Sequence, residues 1–373
     1  RCFMRFFFLV LFLVRFVTYN VFSQGCVAIR GFSGDMSNIG SSANLQQGEF
    51  QFIANSRYFD SYKHFRGSHE ETERVEKGTE VINNSYIGDL TFSYGITNRF
   101  FTSAVLPYVN FARSSMYEHG GNPPNGLGDR HSTFASGLAD VRFSLGYWLL
   151  DPNVNMRNNY SVSLGMKLPT GNYDYQGTFY NQGTNKDEAK IGVVDQSIQP
   201  GDGGYAMTID LASYNYVTDD IVVSSNLNYL INPQATNGVK TRNGAMEFSC
   251  PDQFAARVGA YYVNPKLYNF AFYFGGRTEG ITASDLIGSS EGYRRPGYVI
   301  SIEPGISYSY QRMNFSFNLP IALYRNRIQS YDDKAKTKAT GVFTQGDAAF
   351  ADYLINFSIS YRFGSSNLHN MVD

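Results

Sequence analysis

The chain has 373 residues, of which 43% are apolar and 16% aromatic, and its 31 basic side chains nearly cancel its 32 acidic ones. Only 17% of residues are charged, which excludes a disordered chain and a polybasic nucleic-acid binder. The 28 Tyr and 30 Phe stand beside 36 Gly and one Trp, yet the mean hydropathy is -0.29, so apolar residues must be interleaved with polar ones.

From the amino end, Met4 and Arg5 precede the apolar run Phe6 to Val14, which Arg15 interrupts. This pattern predicts a secretory signal peptide over 1–25, cleaved near Phe22-Ser23-Gln24-Gly25. An anchor needs an unbroken apolar run of about 20 residues. No other stretch approaches that length, so residence in a membrane has to be through strands. Residues 26–46 then form an N-terminal periplasmic segment or plug, 47–363 a barrel, and 364–373 a periplasmic tail.

From Gln47 onward, side-chain character alternates with period two, the period of a strand. Met313, Phe315, Phe317, Leu319, Ile321 and Leu323 share one face, against Asn314, Ser316, Asn318 and Ala322. Tyr353, Ile355, Phe357, Ile359, Tyr361 and Phe363 oppose Asn356, Ser358, Ser360 and Arg362. Similar stripes run through 82–96, 141–149, 160–168, 205–217, 221–231, 254–262, 270–274 and 298–310. With the noisier stretches 49–60 and 99–112 they make twelve strands.

Connections fall into two alternating classes. Short ones lie at Thr97-Asn98, 151–158, Thr218 to Asp220, Asn264 to Leu267 and Gln311-Arg312, and long ones at 64–80, 113–136, 171–203, 232–252, 277–296 and 326–349. Short periplasmic turns and long outer loops in alternation mark an all-β, antiparallel, up-and-down transmembrane β-barrel. A soluble barrel alternates as well, with the faces reversed, but its dry core would not accept the mid-strand charges Asp89, Arg142, Lys167, Asp210, Arg257, Glu303 and Arg362 unless each were paired. Tyr and Phe near strand ends fit interfacial girdles. Pro107, Pro169, Pro304 and Pro320 fall inside predicted strands, so they require bulges or strand ends.

Four segments also resemble a known family: Tyr94-Gly-Ile-Thr-Asn-Arg99 through Leu106-Pro-Tyr108, Gly137-Leu-Ala-Asp-Val-Arg142, Lys167-Leu-Pro-Thr-Gly171 and Pro200-Gly-Asp-Gly-Gly204. In this order they are similar to the phenol-degradation meta-pathway family of outer-membrane proteins, over roughly the first two thirds of the barrel. Tyr293-Arg-Arg-Pro-Gly297 looks like a subgroup feature. The resemblance implies transport of small hydrophobic or aromatic compounds across the bacterial outer membrane. The terminal strand ending on Phe363 resembles the signal read by outer-membrane assembly machinery. Membrane lipid, that machinery and a small-molecule solute are thus the expected partners, and no nucleic acid. A surface adhesion or scaffold barrel and a membrane-embedded hydrolase are the competing classes.

On this register the lumen charges Asp89, Arg142, Lys167, Asp210, Arg257, Glu303 and Arg362 are joined by Arg57, Arg277, Asp140 and Asp352. They read either as a near-balanced polar pathway of little ion selectivity or as an ion-pair lattice bracing the wall. No strand centres on a histidine, so no catalytic residues are expected. Glu118, His119, Asp129 and His131 in loop 113–136 offer oxygen and nitrogen ligands, but their spacing matches no known metal site, and no metal or cofactor is expected. Asp202 and the run Glu70, Glu71, Glu73, Glu76 and Glu80 read as solvated loop charges. Cys26 and Cys250 survive signal cleavage. They meet only if residues 26–46 thread the barrel, which about 20 extended residues can span; lipidation of Cys26 and two unrelated cysteines stay open beside that pairing.

Overall fold

The computed structural model describes residues 43–123, 126 and 128–364. The leader 1–25, Cys26 with the chain up to residue 42, and the tail from 365 lie outside the described residues. Antiparallel ladders join twelve wall strands in chain order. They are β1 (Phe50–Ser61), β2 (Ile82–Gly95), β3 (Phe100–Ser115), β4 in two segments (His131–Leu138 and Arg142–Trp148), β5 (Asn158–Lys167) and β6 (Ala206–Tyr216). The circuit continues with β7 (Ile221–Ile231), β8 (Gln253–Val263), β9 (Phe270–Ile281), β10 (Gly297–Tyr310), β11 in two segments (Met313–Asn318 and Ile321–Asn326) and β12 (Ile355–Phe363). Pairing of β1 with β12, from Phe50 opposite Phe363 to Tyr58 opposite Ile355, closes it. Short turns all lie at the end where β1 starts and β12 finishes, and long loops at the other.

Burial is inverted relative to a soluble protein. Phe92, Leu164, Phe274 and Leu323 point outward at 53–62% exposure, whereas Ser163, Ser301, Asn318 and Ser358 point inward and are buried. A continuous outward apolar belt has no place in water and matches hydrocarbon. Near the short turns it ends in paired rings: Phe50 with Tyr94 at 4.6 Å and with Phe363 at 5.2 Å, Phe100 with Tyr147 at 4.5 Å, and Phe270 with Tyr308 at 4.7 Å. Amphipathic rings at this level are an interfacial girdle. Among the described residues no helix is long and apolar enough to cross a membrane.

Two wall strands are interrupted, and proline explains both. Pro107 has no N–H for the ladder, and opposite it β4 slips: Tyr108 faces Leu138, but Val105 faces Arg142. One extra residue therefore separates the segments, so the inward row passes from Thr133 and Ala135 to Arg142 and Ser144. Gly137, at φ 146°, takes a conformation closed to most side chains at this bend. Ala139 N donates to the Pro107 carbonyl at 2.9 Å, closing the gap. Pro304 and Pro320 meet at the break in β11, where Leu319 N donates to the Pro304 carbonyl at 3.0 Å. Pro169 lies just beyond the end of β5.

Loop 113–136 is shorter than the sequence reading has it. β3 continues to Ser115, and His131–Leu138 pairs with it. The one-residue slip breaks the alternation that would have joined this segment to Arg142–Trp148.

A closed lipid-facing sheet of this kind resists detergent until heated. The protein extracted from membranes is expected to migrate at different positions in SDS gels before and after boiling; one heat-independent band from a soluble fraction would contradict the architecture.

Candidate functional site

Inward side chains divide the lumen into two unequal halves. Along β8 to β12 it is filled by ion pairs. Arg257 Nε donates to Glu303 Oε2 at 2.8 Å, and Arg277 Nη2 to Glu279 Oε2 at 2.6 Å. Arg57 on β1 reaches across to within 3.8 Å of Glu279 and donates to Asn356 Oδ1 at 3.1 Å. Asn318 donates to the other oxygen of Glu303, and the Arg257 guanidinium lies 3.9 Å from the Tyr273 ring centre. Each of these five charged residues is at most 5% exposed. Arg57 thereby ties β1 to β9 along a chord, and this half of the barrel is a brace. Arg257→Ala would strand the Glu303 carboxylate, at a cost of about 3–5 kcal/mol.

Opposite the brace, β1 to β8 enclose a cavity of about 350 Å³. Its walls carry small hydroxyls, among them Ser103, Ser144, Ser161 and Ser163, and one carboxylate, Asp210. Toward the short turns Phe101, Trp148, Tyr214 and Tyr261 give it an aromatic floor. A Cβ at inward-facing Gly146 would fall 2.2 Å from the Phe101 ring, so glycine there makes room for that ring. The chain ahead of β1 also enters this chamber: Ala43 and Leu45 line it, and Asn44 Nδ2 donates to Tyr214 Oη at 2.7 Å. Arg362 reaches the Asn44 carbonyl at 3.3 Å.

Toward the long loops lies a smaller cavity of about 100 Å³, the mouth. The break in β4 turns Asp140 toward it, where the carboxylate accepts from Gly171 N at 3.0 Å and Asp202 N at 3.1 Å. Lys167 lies 3.4 Å from Asp140 and also bonds Asp202. A Cβ on Gly201 would sit 2.5 Å from the Gly171 carbonyl, so these two loop segments touch backbone to backbone. Arg142 is the one side chain lining both mouth and chamber. The carboxylates acting on it are Asp89, Asp210, Asp140 and Asp202. Asp89 accepts from Asn55 at 2.8 Å and Asp210 from Asn228 at 2.6 Å. A third cavity, of about 320 Å³ among the outer loops, shares Phe248 with the mouth.

Ion pairs also hold the long loops over the mouth. Arg294 grips Asp285 through two bonds of 2.7 and 2.6 Å, both side chains wholly buried. Arg295 grips Asp195 at 2.8 and 2.7 Å. Burial opposes the charge on Asp195, but Arg113 and Arg295 outweigh it and hold its carboxyl well below the usual range.

Several sequence candidates sit elsewhere than expected. Asp202 is bonded to Lys167 and Gly204 N rather than solvated. In the acidic run, Glu71 pairs with Arg66 and Glu80 with Arg130. Asp352 pairs with Lys63 at 2.9 Å and with Arg325 at the outer end of the wall. Glu118 turns to Arg113 at 2.8 Å, Asp129 is exposed, and His131 is a strand residue opposite Ser115. His119 is fully buried, and its Nδ1 accepts from Tyr180 N at 3.0 Å. These four residues therefore do not converge on one point. Cys250 donates to the Asp202 carbonyl at 3.2 Å, and its expected partner Cys26 lies outside the described residues. Glu279, Asn318 and Asn356, which complete the brace, were not among the candidates, although each follows the inward alternation.

No protein-family profile matches the chain, and no curated protein matches it in sequence. Solved structures do resemble it in fold. A crystal structure of an outer membrane channel from Pseudomonas putida F1 superposes with a TM-score of 0.57 at 12% identity, covering 88% of this chain and 99% of that one. The translocator domain of the autotransporter NalP from Neisseria meningitidis gives 0.44 at 13% identity, over 86% and 90% of the two chains. The P. putida toluene transporter TodX gives 0.41 at 10% identity, over 93% and 96%. The first likeness establishes the outer-membrane barrel fold; the other two are too distant to add to it.

Two buried loop histidines tie the outer cap to pH. His64 Nδ1 donates to Asp347 Oδ2 at 2.6 Å while its Nε2 accepts from Val81 N at 2.9 Å, an arrangement that only the neutral ring can make. Burial and the nearby Arg74 lower its pKa. Burial, His131 and Arg242 bring that of His119 down to about 4. Both rings bind fewer protons folded than unfolded, so their contribution is complete above the ordinary histidine value of 6.5 and falls away as pH drops below it, for His119 down to about 4. Limited proteolysis of the outer loops is expected to be faster at about pH 5 than at about pH 8. Equal rates would contradict this assignment.

Proposed function

We propose that the chain is a passive outer-membrane channel for small molecules, with a path running from the loop cavity through the mouth, past Arg142, into the chamber and out between the short turns. The observation that carries this reading is the arrangement at Arg142. Two cavities on opposite sides of one side chain are a pathway with a constriction, and the brace leaves the path off-centre instead of closing the lumen. A likeness in fold to an outer membrane channel supports the same reading.

The chamber favours small molecules with an apolar or aromatic body. Phe101, Trp148, Tyr214 and Tyr261 offer ring faces, and the serine wall offers hydrogen bonds to a polar substituent. This agrees with what the resemblance to the phenol-degradation meta-pathway family implies, and membership of that family is part of the proposal. Assembly through the terminal strand, ending on Phe363, belongs to it as well. His64 and His119 are engaged with loop groups, and His131 lies on a wall strand opposite Ser115.

Solute flux into liposomes carrying the pure protein tests the pathway. Arg142→Ala is expected to speed uptake of small neutral solutes by roughly three- to tenfold by opening the constriction. Absence of flux through both the native and the variant protein would overturn the function.

We also propose that residues 26–46 run inside the lumen beside the path without closing it, since Ala43 and Leu45 already line the chamber, and that Cys26 pairs with Cys250. The denatured, non-reduced protein is then expected to take up thiol label only after reduction. Labelling of both cysteines without reductant would remove the pairing.

A further inference from the structure

The inward charges balance over the barrel as a whole, but they are sorted by side. Arg57, Arg257 and Arg277 are withdrawn into the brace with Glu279 and Glu303, and none of the five lines the chamber or the mouth. Around the constriction stand two fixed cations, Arg142 and Lys167, and three carboxylates that line the path, Asp140, Asp202 and Asp210, while Asp89 lines neither cavity and is shared between Arg142 and Arg57 of the brace. At the mouth Arg294 and Arg295 are each matched by a bidentate carboxylate, so they leave no positive excess there. The formal excess around Arg142 is thus one negative charge. Low-dielectric walls focus that field along the path.

We propose that the path selects cations over anions, and that its preferred permeant is a small organic cation with an apolar or aromatic body. This rests on the pathway reading above and names its substrate class. Three features act in the same direction. The carboxylates at the constriction lower the energy of a positive charge where the path is tightest. Below them the polar part of the chamber wall is serine, threonine, asparagine and Gln51 with Asp210, interspersed with apolar side chains such as Ile53 and Val105, and in that wall no cation stands except Arg142 itself. The floor is then lined by Phe101, Trp148, Tyr214 and Tyr261, aromatic rings of the kind whose quadrupoles attract a desolvating ammonium group. An anion meets the reverse at each of these points. A neutral solute passes without the electrostatic gain.

The test is reversal potential in planar bilayers containing the full chain, under a potassium chloride gradient and then with benzyltrimethylammonium against benzenesulfonate as probes. The expected cation-to-anion permeability ratio is on the order of five, and higher for the aromatic pair than for the simple salt. Asp210→Asn, which keeps the shape of the side chain, is expected to bring the ratio toward one. Asn226→Lys, placed on the chamber wall, is expected to invert it in case the first variant folds poorly. A ratio at or below one in the native protein, or a ratio unmoved by both substitutions, would overturn the inference and leave the channel standing. A silent bilayer would overturn the channel and the inference together.

Discussion

Hydrocarbon offers no hydrogen bonds, so every backbone N–H and C=O that crosses it needs a partner within the protein. The rest of the structure follows from this. A strand crossing the membrane must be paired on both sides, the sheet must have no edge, and β12 must return to β1, as the ladder from Phe50–Phe363 to Tyr58–Ile355 does. The same constraint decides where proline is tolerated. Pro107 and Pro304 each lack a ladder donor, and at each the strand opposite is broken and re-attached by a carbonyl bond, Ala139 to Pro107 and Leu319 to Pro304. The break at Pro107 does more than accommodate a ring. It shifts β4 by one residue and frees Asp140 from the ladder, bringing it to the mouth beside Lys167 and Asp202.

Once the outer face has to be apolar, polar side chains are left the interior, and a barrel of this girth has an interior to fill. Serine and asparagine fill it without charge. Arginine and glutamate do so only in partnership, because a lone buried charge costs several kcal/mol. That cost explains why the charges of the β8–β12 side are locked against one another. It also explains why the open side is lined by short hydroxyls. The open space in the lumen is left where side chains are small, and it is bounded by the brace that Arg57 strings across from β1 to β9.

Much of this was legible in the sequence, for a physical reason. A lipid-facing wall forces strict alternation, so Phe315, Phe317, Ile359 and Tyr361 announce their face without any knowledge of their neighbours. Loop alternation announces the closure. What alternation cannot supply is distance across the lumen: nothing in the spacing of Arg57, Glu279 and Glu303 says that strands four places apart meet there. Local slips were hidden for a related reason. His131–Leu138 and Arg142–Trp148 are one wall strand with opposite parity, so period-two reading divides it and assigns the first half to a loop. Asp202 was lost in a glycine-rich loop because its partner, Lys167, is 35 residues away.

The cap over the mouth obeys a different logic from the wall. Its loops bury apolar side chains against the inner wall, Val194, Ile198 and Leu354 beside Phe59, Val109 and Phe111, and Phe350 beside Phe65, and they are further fixed by bidentate arginine–carboxylate pairs and by neutral histidines: Arg294 with Asp285, Arg295 with Asp195, His64 with Asp347. Such contacts are directional and cheap to exchange with water at the surface, but they hold firmly where the groups are buried. Arg294 and Asp285 are wholly buried, whereas Asp347 retains solvent contact through 29% of its side chain. The seam of His64 and Asp347 is more exposed, but it is backed by a ladder of Lys63 to Phe65 against Ala348 to Phe350 and by Phe65 packed edge-on against Phe350, so each end of the cap joins a charged contact to backbone pairing or burial.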